Sequence, residues 1–75
     1  MKRNTSRNII GKNVRKYRKN IPLTQDELSA KLFLLDIKLD RPMISKIENG
    51  LREVTDFEVQ ALSKSLGISI EKLFD

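Results

Sequence analysis

Residues 23–50 read LTQDELSAKLFLLDIKLDRPMISKIENG, and the fold turns on this stretch. Thr24 and Glu27 stand three apart at its start. A threonine hydroxyl there accepts from the amide of Glu27, and the glutamate carboxylate reaches back to the amide of Thr24, so the pair marks a helix start. From it Leu28, Leu32 and Leu35 fall on one face, which predicts a helix to about residue 35. Asp36-Ile37-Lys38-Leu39 alternates polar and apolar but has no partner strand nearby. It reads as a turn that tucks Ile37 or Leu39 against the core. Asp40 is placed to cap the next helix, with Arg41 and Pro42 in its first turn, where proline is tolerated. Ile44 and Ile47 point inward from that helix. Asn49-Gly50 ends it, glycine supplying the left-handed residue that closes many helices.

Working outward, Ser6 is predicted to cap a first helix over residues 7–19, with Ile10, Val14 and Tyr17 at i, i+4 and i+7. Asn20-Ile21-Pro22 stops it, because proline cannot continue the hydrogen-bond ladder. On the other side, Thr55-Asp56-Phe57-Glu58 repeats the reciprocal cap and opens a fourth helix. Val59, Leu62 and Leu66 form its buried face and Gly67 ends it. Ser69 is placed to cap a last short helix over residues 70–74. The expected architecture is all-α, a compact bundle of five short helices over residues 7–75, preceded by a basic N-terminal arm at residues 1–6.

Seventy-five residues make one small domain, near the lower limit for a chain that folds on its own core. The chain is 39% hydrophobic and 33% charged, with a net charge of +5. That charge is uneven. Residues 1–20 hold eight basic side chains and no acid, whereas residues 21–75 hold seven basic and ten acidic ones. A basic end on a nearly neutral body suits nucleic acid or an anionic membrane surface, and charge alone does not separate these from a solubilising tail. There is no cysteine and no histidine. Disulfides and thiolate chemistry are thereby excluded, and the commonest metal ligand and general base are missing. The acids Asp26, Glu27, Asp40, Asp56 and Glu58 sit at helix starts, where the helix dipole explains them. The expectation is a protein that is not an enzyme and holds no metal or cofactor. The longest apolar run, residues 32–35, is far short of the roughly 20 residues of a membrane span. No secretory signal is evident at the start, so the cytoplasm is the expected location. Met1 favours a native start, while the end directly after Phe74-Asp75 leaves open an excised domain.

Two capped helices flanking a turn, the second short and carrying basic and small residues outside, form the geometry in which a second helix enters the DNA major groove. The residues resemble the lambda-repressor/Cro-like, or XRE, family of helix-turn-helix regulators. The likeness rests on Leu23-Thr24-Gln25-x-Glu27-Leu28, on Ile44-Ser45-Lys46-Ile47-Glu48-Asn49-Gly50, and on Leu66-Gly67-Ile68-Ser69 with Leu73-Phe74. It covers about residues 7–74. One feature departs from the family pattern. Leu32 and Ile44 are twelve positions apart, more than in compact members, and Phe33 takes the place of the usual turn glycine. Either the second helix is longer or the turn is an extended loop, which costs little entropy. The placing of residues 33–40, and of Lys38 relative to DNA, is left open by this.

The resemblance implies a sequence-specific regulator of transcription, a repressor, binding double-stranded DNA as a homodimer on two half-sites. It carries roles over residue by residue. Thr24 and Gln25, at a helix N-terminus, match phosphate contacts, although a polar first-turn role also accounts for Gln25. Arg41, Pro42 and Lys46 match the positions that read bases, with Met43 and Ser45 flanking them. Arg41 can pair bidentately with guanine or remain a solvated charge. Pro42 has no donor and can only meet a thymine methyl or shape the turn; Lys46 can reach a base or a phosphate. Asn49 matches a phosphate contact or serves as a helix-end residue, and Arg52 would reinforce it. Lys2, Arg3 and Arg7 can add phosphate contacts or belong to a disordered tail. Arg18 and Glu48 match a structural ion pair between the first and third helices. Ile68, Ile70, Leu73 and Phe74 are the candidate dimer surface, although burial in the core also explains most of them. The same fold also serves as an antitoxin or adaptor whose main partner is a protein, and an apolar outer face on the third helix would favour that role. A membrane-bound basic first helix is the remote third reading, because its apolar stripe is needed in the core.

Overall fold

A computed structural model describes residues 6–75. The arm at residues 1–5, with Lys2 and Arg3, lies outside the described residues. Five helices are present among the described residues: α1 (Gly11–Asn20), α2 (Gln25–Phe33), α3 (Arg41–Glu48), α4 (Asp56–Leu66) and α5 (Ile70–Leu73). None of them is long and apolar enough to cross a membrane.

The starts of α2, α3 and α4 follow from their capping residues. Thr24 Oγ1 accepts from the amide of Glu27 at 3.0 Å, and Glu27 Oε1 accepts from the amide of Thr24 at 2.8 Å. Thr55 and Glu58 repeat this exchange, and Asp40 Oδ1 accepts from the amide of Met43. α1 departs from the expected start at Ser6. It begins at Gly11, behind an N-cap at Ile10 that has no side-chain bond. Residues 7–10 instead strap the end of α3. The Arg7 amide donates to Gly50 O, and Asn8 Nδ2 donates to Ile47 O and Arg52 O. Asn8 Oδ1 meanwhile accepts from the amide of Gly11. A Cβ at Gly11 would run into the carbonyl of Ile47, so glycine lets α1 and α3 meet backbone to backbone there. α5 is also shorter than expected, ending at Leu73, and Ser69 occupies its N-cap position without a side-chain bond.

The connection between α2 and α3 is an extended loop, not a longer helix. α2 stops at Phe33, two residues before the expected limit, and Leu35 is 41% exposed instead of lying in the core. The stop uses Asp36 in place of a glycine, with φ +60°. The amide of Asp36 donates to Phe33 O and that of Ile37 to Leu32 O, the paired bonds that close a helix around a left-handed residue. The chain then returns to the core. Leu39 is fully buried, Ile37 packs beside it, and Ser29 Oγ donates to Leu39 O at 2.7 Å.

Each helix contributes to one core. Ile10 and Val14 meet Leu28, Leu32, Leu39, Ile44, Ile47, Ala61, Leu62, Leu66 and Leu73, with Tyr17, Val54, Val59 and Ile68 against its edge. Each large aliphatic side chain buried in this way contributes about 1.5–3 kcal/mol over exposure. Asn13 ties down the C-terminal end, its Nδ2 donating to Leu73 O and Asp75 O.

Candidate nucleic-acid interface

α2 presents its N-terminal end to the side of α3. In that first turn the helix offers no acceptor to the amides of Gln25 and Asp26, and the dipole there favours an anion. The cleft between the two helices, ≈ 570 Å³, is lined by Thr24, Gln25, Arg41, Ser45 and Asn49, with Arg15 from α1 and Asp26 also at its edge. Arg41, Ser45 and Asn49 stand at i, i+4 and i+8 along one stripe of α3. Pro42, Met43 and Lys46 lie outside the cleft, all exposed on the outer side of the same helix. Ile44 and Ile47 are buried beneath it, so the apolar side of α3 faces the core and the basic side faces water.

The cleft floor is charged. Arg18 of α1 forks onto Glu48 of α3, with Nε donating to Oε2 at 2.7 Å and Nη2 to Oε1 at 3.0 Å. Both side chains are nearly buried, and the hydrogen bonds to Glu48 hold the Arg18 pKa above its ordinary value. Arg18 Nη1 also donates to Leu23 O, just ahead of α2. Gln25 Nε2 donates to Glu48 Oε1 at 3.1 Å. One ion pair therefore joins α1, the start of α2 and α3, and it neutralises a carboxylate that would otherwise repel phosphate. Arg41 and Asp26 approach to 3.9 Å, both well exposed, a contact that holds Arg41 only weakly.

Arg52 lies elsewhere. Its Nη1 and Nη2 hold Glu58 at 2.9 and 3.0 Å, and Nη1 also donates to Glu53 O. These bonds lower the Glu58 pKa and raise that of Arg52, against desolvation, which works the other way on each.

The helix-turn-helix family matches residues 14–73. Control protein C.MunI of Mycoplasma sp is 38% identical to this chain over 65 residues, which cover 87% of the chain and 82% of that protein. The chain belongs to the helix-turn-helix family. As an XRE-type helix-turn-helix protein it is a DNA-binding regulator of transcription. No solved structure matches it.

In this helix-turn-helix protein two basic residues of α1 join the site that sequence reading did not single out. Arg15 lines the main cleft, and Lys12 lines a neighbouring one with Asn49 and Gly50. They stand three apart, exposed, beside the buried stripe of Val14 and Arg18. That spacing was available in the sequence. Which way this side of α1 faces depends on how α1 packs on α3, and periodicity does not report that.

Proposed function

We propose that this chain is a repressor that binds an inverted-repeat operator as a homodimer in the cytoplasm, reading the major groove with α3. The observation that carries this reading is the cleft, which gathers a helix N-terminus and the Arg41, Ser45 and Asn49 stripe of α3, with the exposed Arg15 of α1 at its edge. In this reading Arg41 pairs with guanine O6 and N7, worth about 1–3 kcal/mol of discrimination. Met43, Ser45 and Lys46 contact neighbouring bases, and Pro42 meets a thymine methyl or shapes the helix start. Thr24, Gln25 and Asn49 hold phosphates, and the pairing of Gln25 with Glu48 supports this by fixing where its amide sits. Arg52 adds only general positive charge at that end, since Glu58 occupies both of its Nη groups.

The homodimer reading is supported by the small size of one α3 contact and by a second groove. Among the dimer candidates Leu73 is fully buried and Ile68 packs on the core, leaving Ile70 and Phe74 half-exposed. Phe74 and Ile9 line a groove of ≈ 400 Å³ with Arg7 and Glu53 on it, 3.8 Å apart. A cation and an anion side by side on one apolar groove suit a two-fold contact, in which each answers its opposite on the other copy. In this reading a dimer seated on an operator represses by occupancy, excluding competing proteins, and the name control protein of the relative points to regulation.

Selection of bound fragments from random duplex DNA at two salt concentrations tests the reading. An inverted repeat should be enriched, and Arg41→Ala should relax preference at one base pair per half-site. Equal, weak binding to all sequences would overturn it.

A further inference from the structure

One surface takes no part in the cleft or in the Phe74 groove. At the end of α2, Phe33, Leu34 and Leu35 are 48%, 86% and 41% exposed, and Phe57 in the first turn of α4 is 72% exposed. Leu35 and Phe57 share a shallow depression with Ile37, Gln60, Ala61 and Lys64. The fold does not require these apolar groups, because Leu32 and Leu39 already fill the core on either side of the turn. Clustered large apolar side chains left in water mark an interaction site.

Charge indicates what covers them. Lys64 but no acid lines the depression, and along the chain Lys31 and Lys38 stand before and after residues 33–35, all three lysines exposed. Asp36 lies in the turn, and Asp56 turns its Oδ1 to the amide of Phe57 at the start of its own helix. A second copy of this chain, related by a two-fold axis, would bring lysine against lysine here, unlike the Phe74 groove with its Arg7 and Glu53. DNA would answer the lysines but leave two phenylalanines and two leucines in water. We propose that this surface docks an amphipathic segment of another protein, with an apolar stripe flanked by aspartate or glutamate. Docking leaves the DNA cleft open, since Gln25 and Phe33 stand at opposite ends of α2, roughly 12 Å apart at the helical rise. The proposal does not rest on the repressor reading.

The test is a titration of the isotope-labelled protein, followed by amide chemical shifts, with a synthetic helical peptide carrying leucines on one face and glutamates elsewhere. A control peptide carries lysines for the glutamates. Each titration is run on the free protein and with excess duplex DNA covering the cleft. The acidic peptide should shift residues 33–38 and 57–64 under both conditions, and the lysine peptide should not. Leu34→Ser, at a position too exposed to affect folding, should weaken the acidic peptide roughly tenfold, and Lys64→Glu should weaken it as well. Shifts confined to residues 41–49, equal binding of the two peptides, or self-association of the protein through residues 33–35 would each overturn the proposal.

Discussion

Arg18 and Glu48 are charged residues in a place where charge is costly, and each is tolerable only because of the other. With side chains 10% and 3% exposed, they are held by two hydrogen bonds to each other, and Glu48 also accepts from Gln25. Removing one partner leaves an unpaired charge in a nearly dry site, whereas removing both leaves apolar groups that can pack. Glu48→Leu should therefore cost about 3–5 kcal/mol in urea denaturation, and the double variant Arg18→Met, Glu48→Leu much less. Equal losses in the two variants would show that burial of the charge is not what makes the single change severe. Gln25 loses its partner in both variants, so DNA affinity should fall in the double variant even where stability holds.

At the scale of the helices, α2, α3 and α4 end in the same way, on a left-handed residue with two bonds back into the last turn. α3 and α4 use Gly50 and Gly67 for this; α2 uses Asp36. A non-glycine residue in that region carries steric strain, eased but not abolished in aspartate. Asp36→Gly should raise stability by up to about 1 kcal/mol, and a fall in the thermal midpoint would mean that the aspartate side chain contributes more to the turn than its backbone costs. The start of α4 depends on pH. Glu58 has its pKa lowered in the fold chiefly by Arg52, with help from the backbone and hydroxyl of Thr55. A lowered folded value means that its stabilisation is complete above the ordinary glutamate range and is lost as pH falls through the folded value. Its loss should be about 1 kcal/mol, modest because Arg52 is partly exposed. Glu58→Gln should show less acid sensitivity over that window; an unchanged acid limb would sink the assignment.

Over the whole molecule, charge is arranged by the packing of α1. Its basic residues, Lys12, Arg15, Lys16, Arg18 and Lys19, crowd one short helix, yet only some reach the DNA side: Arg15 at the main cleft and Lys12 beside the end of α3. If each neutralises a phosphate, Lys12→Ala and Arg15→Ala should weaken binding uniformly across sequences. Each should also lower the slope of log affinity against log salt by about 0.9. Lys31→Ala, near the far end of α2, should leave that slope unchanged. A slope that ignores Lys12 and Arg15 would place α1 off the DNA.

Much of this architecture is local and could be read along the chain. The reciprocal caps at Thr24 and Thr55, the aspartate before Arg41 and the glycines at 50 and 67 act within a few residues of themselves, so their sequence is enough to set where helices begin and end. The apolar spacing of Leu28 with Leu32, and of Ile44 with Ile47, likewise identified the faces that meet in the core. Other features depended on residues far apart. Asn8 delays the start of α1 because it bonds to carbonyls 39 and 44 residues away, and Gly11 is shaped by the carbonyl of Ile47. Leu35 fitted the periodicity of α2, but Asp36 turns the chain and Leu39 returns to be buried in the core. The same return exposes Phe33, Leu34 and Leu35. A helix pattern records which side of a helix is apolar, but what that side meets is set by how the helices pack, and only the folded chain determines that.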